Sequence, residues 1–76
     1  MLTTRVSLHP DTPLAAVVLH DPDRALPSAV RVVDADVGVA VSRMLETRRE
    51  LGCCGQNAYR RLDDLIARAE AWIAPA

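Results

Sequence analysis

Residues 34–75 decide the fold of this chain: DADVGVAVSRMLETRRELGCCGQNAYRRLDDLIARAEAWIAP. This stretch contains two amphipathic helical patterns, which are separated by the turn sequence Leu-Gly-Cys-Cys-Gly at residues 51–55. In both patterns apolar residues recur every three or four positions, which is the period of one helix face. Two helices joined by a short link pack against each other through such apolar stripes. The stretch therefore predicts an αα-hairpin.

The first helix is predicted over residues 34–51. Asp34 suits the N-cap, Asp36 places negative charge near the positive end of the helix dipole, and Gly52 suits the left-handed residue that closes a helix. Capping explains both carboxylates, although their spacing also resembles a cation-binding pair. The apolar stripe consists of Val37, Ala40, Val41, Met44, Leu45 and Leu51.

The second helix is predicted from about Asn57 to Ile73, with Pro75 as its stop. Asp64 precedes Arg68 by four residues, a spacing that stabilises a helix slightly. The polar face is predicted to contain Arg60, Asp63, Asp64, Ala67, Arg68, Glu70 and Ala71. The apolar stripe consists of Ala58, Leu62, Leu65, Ile66, Ala69, Trp72 and Ile73, with Tyr59 at its edge.

The residues before this hairpin predict three short strands. Alternation of apolar and polar residues favours a half-buried strand at residues 3–9, and a continuous apolar run favours a better buried strand at Leu14–His20. Residues 29–33, Ala-Val-Arg-Val-Val, favour a third strand that leads directly into Asp34. Turn sequences rich in proline and aspartate separate the strands at residues 10–13 and 21–24.

These elements predict an α+β fold in one domain, residues 1–76, with the order β-β-β-α-α. A small antiparallel N-terminal sheet of two or three strands packs on the C-terminal αα-hairpin. The sheet has two strands if residues 3–9 form only a flexible arm. A chain of 76 residues buries a small core, so we expect a homodimer to supply additional buried area.

Charge and composition exclude several classes of function. The nine basic residues are all arginine, and the net charge is −1, so the chain has no overall field that attracts nucleic acid or an acidic membrane. The apolar run at residues 14–19 is too short for a signal peptide or a membrane span. Two adjacent cysteines do not form a secreted disulfide framework. We therefore expect a cytoplasmic location.

The sequence contains few candidates for chemistry. Cys53 and Cys54 are poorly spaced to hold one zinc ion together, although His9 or His20 could join them from the sheet. His20 followed by Asp21 is explained by a strand end and a turn. Because no nucleophile-and-base pattern or phosphate-binding loop is present, we expect no enzyme activity, no metal and no cofactor. A small metal- or redox-responsive protein that uses the cysteines stays an alternative.

Four residues are candidates for contact with a protein partner: Val39, Arg48, Arg60 and Arg61. Val39 lies on the otherwise polar face of the first helix. Arg48 falls inside its apolar stripe, so its guanidinium must reach water at the helix end or pair with Asp63, Asp64 or a carboxylate of another chain. Arg60 and Arg61 lie early in the second helix, against its dipole, so packing must stabilise that end.

The function that we expect is a non-catalytic protein–protein interaction module that also self-associates. Adaptors, assembly factors and inhibitors that bind a larger protein, including those encoded by phages or mobile elements, have this size. The alternative is a DNA-binding regulator, because the strand at 29–33, two helices and a turn at Gly52 resemble ribbon–helix–helix dimers in element order. In that arrangement Arg31 is the strand's only base-reading donor, and the net charge does not favour nucleic acid.

Overall fold

A computed structural model of the chain describes residues 2–23, 28–48, 51 and 57–74. Three strands come first, β1 (Thr3–Leu8), β2 (Leu14–His20) and β3 (Ala29–Asp34). Two helices follow, α1 (Ala35–Arg48) and α2 (Asn57–Ile73). The predicted α+β fold with the order β-β-β-α-α is therefore confirmed.

The three strands form one antiparallel sheet with β2 in the centre. Val17 of β2 lies opposite Val6 of β1 and opposite Arg31 of β3, which fixes the register of the whole sheet. The first predicted turn is present, because the His9 N–H donates to the Leu14 carbonyl at 3.4 Å. After β2, the Asp23 N–H donates to Asp21 Oδ1 at 3.0 Å, which is the local bond that favours aspartate in turns.

The helices cover one face of this sheet, here called the inner face. Alternation along β2 directs Ala15, Val17 and Leu19 to that face, and all three are at most 2% exposed. The predicted apolar stripe of α1 is confirmed, because Val37, Ala40 and Val41 are buried while Met44 and Leu45 pack partly buried against the core. The core residues of α2 are Ala58, Leu62, Leu65, Ile66 and Ala69.

Helix α1 lies close to the sheet at Gly38, which is buried. A Cβ atom added there would meet the Cβ of Ala15 at a separation that real Cβ atoms essentially never show, and it would lie 3.4 Å from Val6 Cγ1. Both contacted side chains belong to neighbouring strands. The missing side chain of Gly38 therefore allows α1 to lie directly on β1 and β2.

The last turn of α2 differs from the prediction. Trp72 and Ile73 belong to the predicted apolar stripe, but they are 62% and 41% exposed. The last buried residue of α2 is Ala69, so the side chains one turn later extend past the core. Trp72 instead lines a groove together with Met44 and Thr47 of α1.

The boundaries of α1 also differ from the prediction. The structure describes the helix over Ala35–Arg48, and Leu51 lies outside it, partly buried against the core. At the start, the Ala35 N–H donates to the Pro13 carbonyl at 2.9 Å, while no hydrogen bond to the Asp34 carboxylate is present among the described residues. Because β3 runs directly into α1, backbone from the neighbouring turn takes part of the predicted capping role of Asp34.

Some predictions lie outside the described residues. These are the turn at 52–55, with Gly52, Cys53 and Cys54, and the helix stop at Pro75. Neither α1 nor α2, over the ranges given above, combines the length and apolar content that are needed to cross a membrane.

Candidate functional site

The outer face of the sheet, opposite the helices, has an apolar half and a polar half. On β2 and β3 this face consists of Leu14, Ala16, Val18, Val30 and Val32, which we call the open face. The register places Val18 opposite Val30 and Ala16 opposite Val32. On β1, the same rows continue with Arg5 and Ser7. The apolar half therefore lies at the β3 side of the sheet.

Exposure is highest at β3. Val30 and Val32 are 52% and 66% exposed, whereas Val18 and Ala16 on the same face are partly buried. The difference follows from sheet position, because a residue of the central strand has neighbours on both sides and a residue of an edge strand has them on one side only. Apolar surface that is clustered and uncovered in this way is typical of a binding surface.

Among the described residues, no strand pairs with the outer edge of β3, so backbone groups beside these valines lack a strand partner. The bond from Ala35 N–H to Pro13 carbonyl makes those two residues a hydrogen-bonded pair, and such pairs alternate along an antiparallel ladder. Arg31 and Val33 therefore bond to β2, while the N–H and C=O groups of Val30 and Val32 point to the free edge. The described part of β3 contains no proline and no lysine, two residues that commonly protect an edge, although Arg31 places a charge on its inner face.

Arg31 joins β3 to α2 through an ion pair. Its Nε donates to Asp63 Oδ1 at 2.9 Å and its second guanidinium nitrogen, Nη2, donates to Oδ2 at 3.4 Å. The hydrogen bond raises the pKa of Arg31 and holds the pKa of Asp63 below its ordinary value. Both side chains are about half exposed, 53% and 54%, so solvent weakens the interaction. Arg31 shares the inner face with Val17, so this residue of the ribbon–helix–helix alternative is engaged by a carboxylate.

The polar half of the outer face contains a depression of about 360 Å³. The Thr3 hydroxyl donates to the His20 carbonyl at 3.1 Å, and His20 Nδ1 lies 2.9 Å from the Ser28 hydroxyl oxygen. His20 therefore has a hydrogen-bonding partner at the end of β2, as expected for a strand end that leads into a turn. The depression is lined by Thr3, Arg5, Ser7, Val18, His20 and Ser28.

The structure does not bring the four predicted partner-binding residues together in one depression. Val39 is 37% exposed and lies with Val6 and Leu8 beside β1, whereas Arg61 lines a separate depression with Asp64 and Arg68. Arg60 is exposed in the first turn of α2.

Arg48 is the last residue of α1 and is exposed, so its guanidinium is not buried in the apolar stripe. Asp63, one of the partners considered for Arg48, instead accepts hydrogen bonds from Arg31.

A second apolar surface lies between the helices, where a groove of about 570 Å³ is lined by Arg43, Met44, Glu46, Thr47 and Trp72.

The described residues contain no group of three or more histidine, cysteine, aspartate or glutamate side chains that could hold a metal ion. Cys53 and Cys54 lie outside the described residues, so their predicted alternative role stays untested. The described part of the chain also contains no buried polar or charged residue.

Comparison of the chain with protein-family models, with curated proteins and with solved structures found no match. Functional inference therefore depends on the surface itself.

Proposed function

We propose that the chain is a non-catalytic protein–protein interaction module that binds an extended strand of its partner along the edge of β3. The observation that carries this proposal is the combination of free backbone groups with two highly exposed valines at Val30 and Val32. Adding a strand to a sheet edge uses both features, because backbone hydrogen bonds supply affinity and alternate side chains supply specificity.

The partner strand is defined by the chemistry of this edge. Its residues opposite Val30 and Val32 are apolar, so that each valine gains a neighbour on its open side. Val18 of the central strand lies on the same open face with a paired strand on each side, and it is less exposed than Val30 and Val32. Pairing would reduce the exposure of Val30 and Val32 toward that of Val18. An adaptor, assembly factor or inhibitor would bind a larger protein through this edge, and any other strand that pairs with β3 would compete for it.

A designed peptide tests this proposal without knowledge of the natural partner. The probe is an alternating threonine–valine peptide, added to dilute protein while the exchange of individual backbone amides is followed by NMR. We expect protection of the amides of Val30 and Val32, and no protection of the β1 edge. The control peptide is N-methylated at the positions that face β3, and we expect it not to bind.

A matched pair of variants locates the surface. Val30→Thr/Val32→Thr keeps β-branched side chains on β3 but removes two apolar cross-strand pairs, each worth about 0.2–1 kcal/mol, so peptide affinity should fall about 2- to 30-fold. Leu8→Thr changes a residue of β1 that is 56% exposed and should leave affinity unchanged. Absence of amide protection at β3 at millimolar peptide, or equal protection of β1 and β3, would overturn the proposal.

A further inference from the structure

We propose that the strand bound by β3 is β3 of a second copy of the chain, paired antiparallel about a twofold axis at Arg31. This inference rests on the proposed function and adds the identity of the partner and the register of pairing. The result would be a dimer with a continuous six-stranded sheet, since each copy contributes three strands.

The directions of the backbone groups limit the possible registers. Val30 and Val32 both present N–H and C=O groups to the free edge, so each must lie opposite another residue of the same set. This condition allows only registers that differ from one another by an even number of residues. In three of these registers the twofold axis lies near the middle of β3, at Val30, at Arg31 or at Val32.

Side-chain chemistry selects among these three registers. An axis at Arg31 pairs Val30 with Val32 of the second copy, and Val32 with Val30. An axis at Val32 sets Val30 against the carboxylate of Asp34, and an axis at Val30 sets Val32 against Ser28. Apolar pairs stabilise a sheet, whereas a carboxylate opposite a valine gains nothing. The axis at Arg31 therefore gives the best matched outer face.

The same register matches the polar ends of the strand. Ser28 lies directly before β3 and Asp34 ends it, so each would lie opposite the other across the axis. A serine hydroxyl can donate to a carboxylate, and Ser28 already lies 2.9 Å from His20 Nδ1. The exposed Asp34 carboxylate would thereby reach a polar cluster of the second copy.

On the inner face, the axis brings Arg31 opposite Arg31 of the second copy. Like charges in direct opposition destabilise a strand pair. Each guanidinium, however, already donates to its own Asp63 at 2.9 and 3.4 Å, so a carboxylate offsets part of the positive charge on each side of the axis. The ion pair between β3 and α2 thus reduces the repulsion between the two arginines.

Disulfide cross-linking determines which residues of the two β3 strands lie opposite each other. Cα atoms of directly opposite hydrogen-bonded residues lie about 5.5 Å apart, within the disulfide range, whereas diagonal neighbours lie about 7–8 Å apart, beyond it. Val30→Cys and Val32→Cys are made separately in a Cys53→Ser/Cys54→Ser background, with one of them isotope-labelled. Copies are mixed at a concentration where light scattering shows self-association, oxidised mildly and analysed by intact mass.

We expect at least a tenfold excess of the mixed Val30→Cys with Val32→Cys dimer over either self-linked dimer. Predominant self-linking of Val32→Cys would show an axis at Val32, and predominant self-linking of Val30→Cys an axis at Val30; either result overturns the inference. A strict monomer by light scattering at millimolar concentration, or a dimer that forms none of these links, also overturns it. The proposed function fails separately, when the designed peptide does not protect β3.

Discussion

Substituting Gly38 by alanine tests whether α1 lies directly on the sheet. The new Cβ would overlap the Cβ of Ala15, and neither atom can turn away because both are fixed to the backbone. Overpacking of this kind costs about 1–3 kcal/mol, while alanine gains about 1 kcal/mol over glycine in a helix. We expect a net loss of up to about 2 kcal/mol, which lowers the Tm by up to about 16 °C in a domain of this size.

The assay is thermal and urea unfolding followed by far-UV circular dichroism. Ser42→Ala in the same helix is the matched control, because it reports the helix propensity alone and should be slightly stabilising. Ala15→Gly combined with Gly38→Ala removes the overlap. The double variant should therefore be more stable, by about 1–3 kcal/mol, than the sum of the two single effects. A Gly38→Ala protein that is more stable than the parent would refute this account of the helix–sheet contact.

Two further predictions concern α2. In urea unfolding, Leu65→Ala should lower the free energy of unfolding by about 2–5 kcal/mol, because Leu65 is 2% exposed. Trp72→Ala should lower it by less than about 1 kcal/mol, because Trp72 is 62% exposed. Equal losses would contradict the exposure of the last turn of α2. Asp63→Asn should lower the Tm at neutral pH. This decrease in Tm should become smaller below pH 3.8, because the hydrogen bond from Arg31 holds the pKa of Asp63 below that ordinary value. The stabilisation is then complete above pH 3.8 and disappears as pH falls through the lower pKa of the folded state. A Tm difference that stays constant down to pH 2 would argue against the ion pair.

The order and type of all five elements could be predicted because local signals agree along the chain. The alternation in β1, the apolar run of β2 and the three- and four-residue steps in both helices each have one compatible structure. The turns at residues 10–13 and after His20 separate these patterns clearly. Helix α2 was therefore bounded correctly at Asn57–Ile73.

The ends of the helices could not be predicted equally well, because they depend on tertiary packing. Periodicity continues through Trp72 and Ile73, but periodicity does not show where the surface that covers a helix stops. Likewise, Asp34 has the chemistry of an N-cap, yet the neighbouring turn at Pro13 supplies a backbone partner that the local sequence does not reveal.

The predicted partner-binding residues do not include the open face. Val39, Arg48, Arg60 and Arg61 all belong to the two helices, and their role in partner binding stays a prediction. A signal for the open face does exist in the continuous apolar run of β2, which is typical of a strand covered on both faces. Two helices cover only one face of a three-stranded sheet. Which side of β3 faces the helices depends on the register between β2 and β3, in which Val17 lies opposite Arg31. No local sequence pattern specifies this register.

The polar outer side of β1 has a consequence for the size of any assembly. Thr3, Arg5 and Ser7 line this side, while the exposed valines lie at the opposite border of the sheet. A chain whose sheet could pair with further copies at both edge strands would polymerise into filaments. In the proposed dimer, growth would stop after one step, because the β3 edges of both copies are occupied and the outer face of the two remaining β1 edges carries Thr3, Arg5 and Ser7.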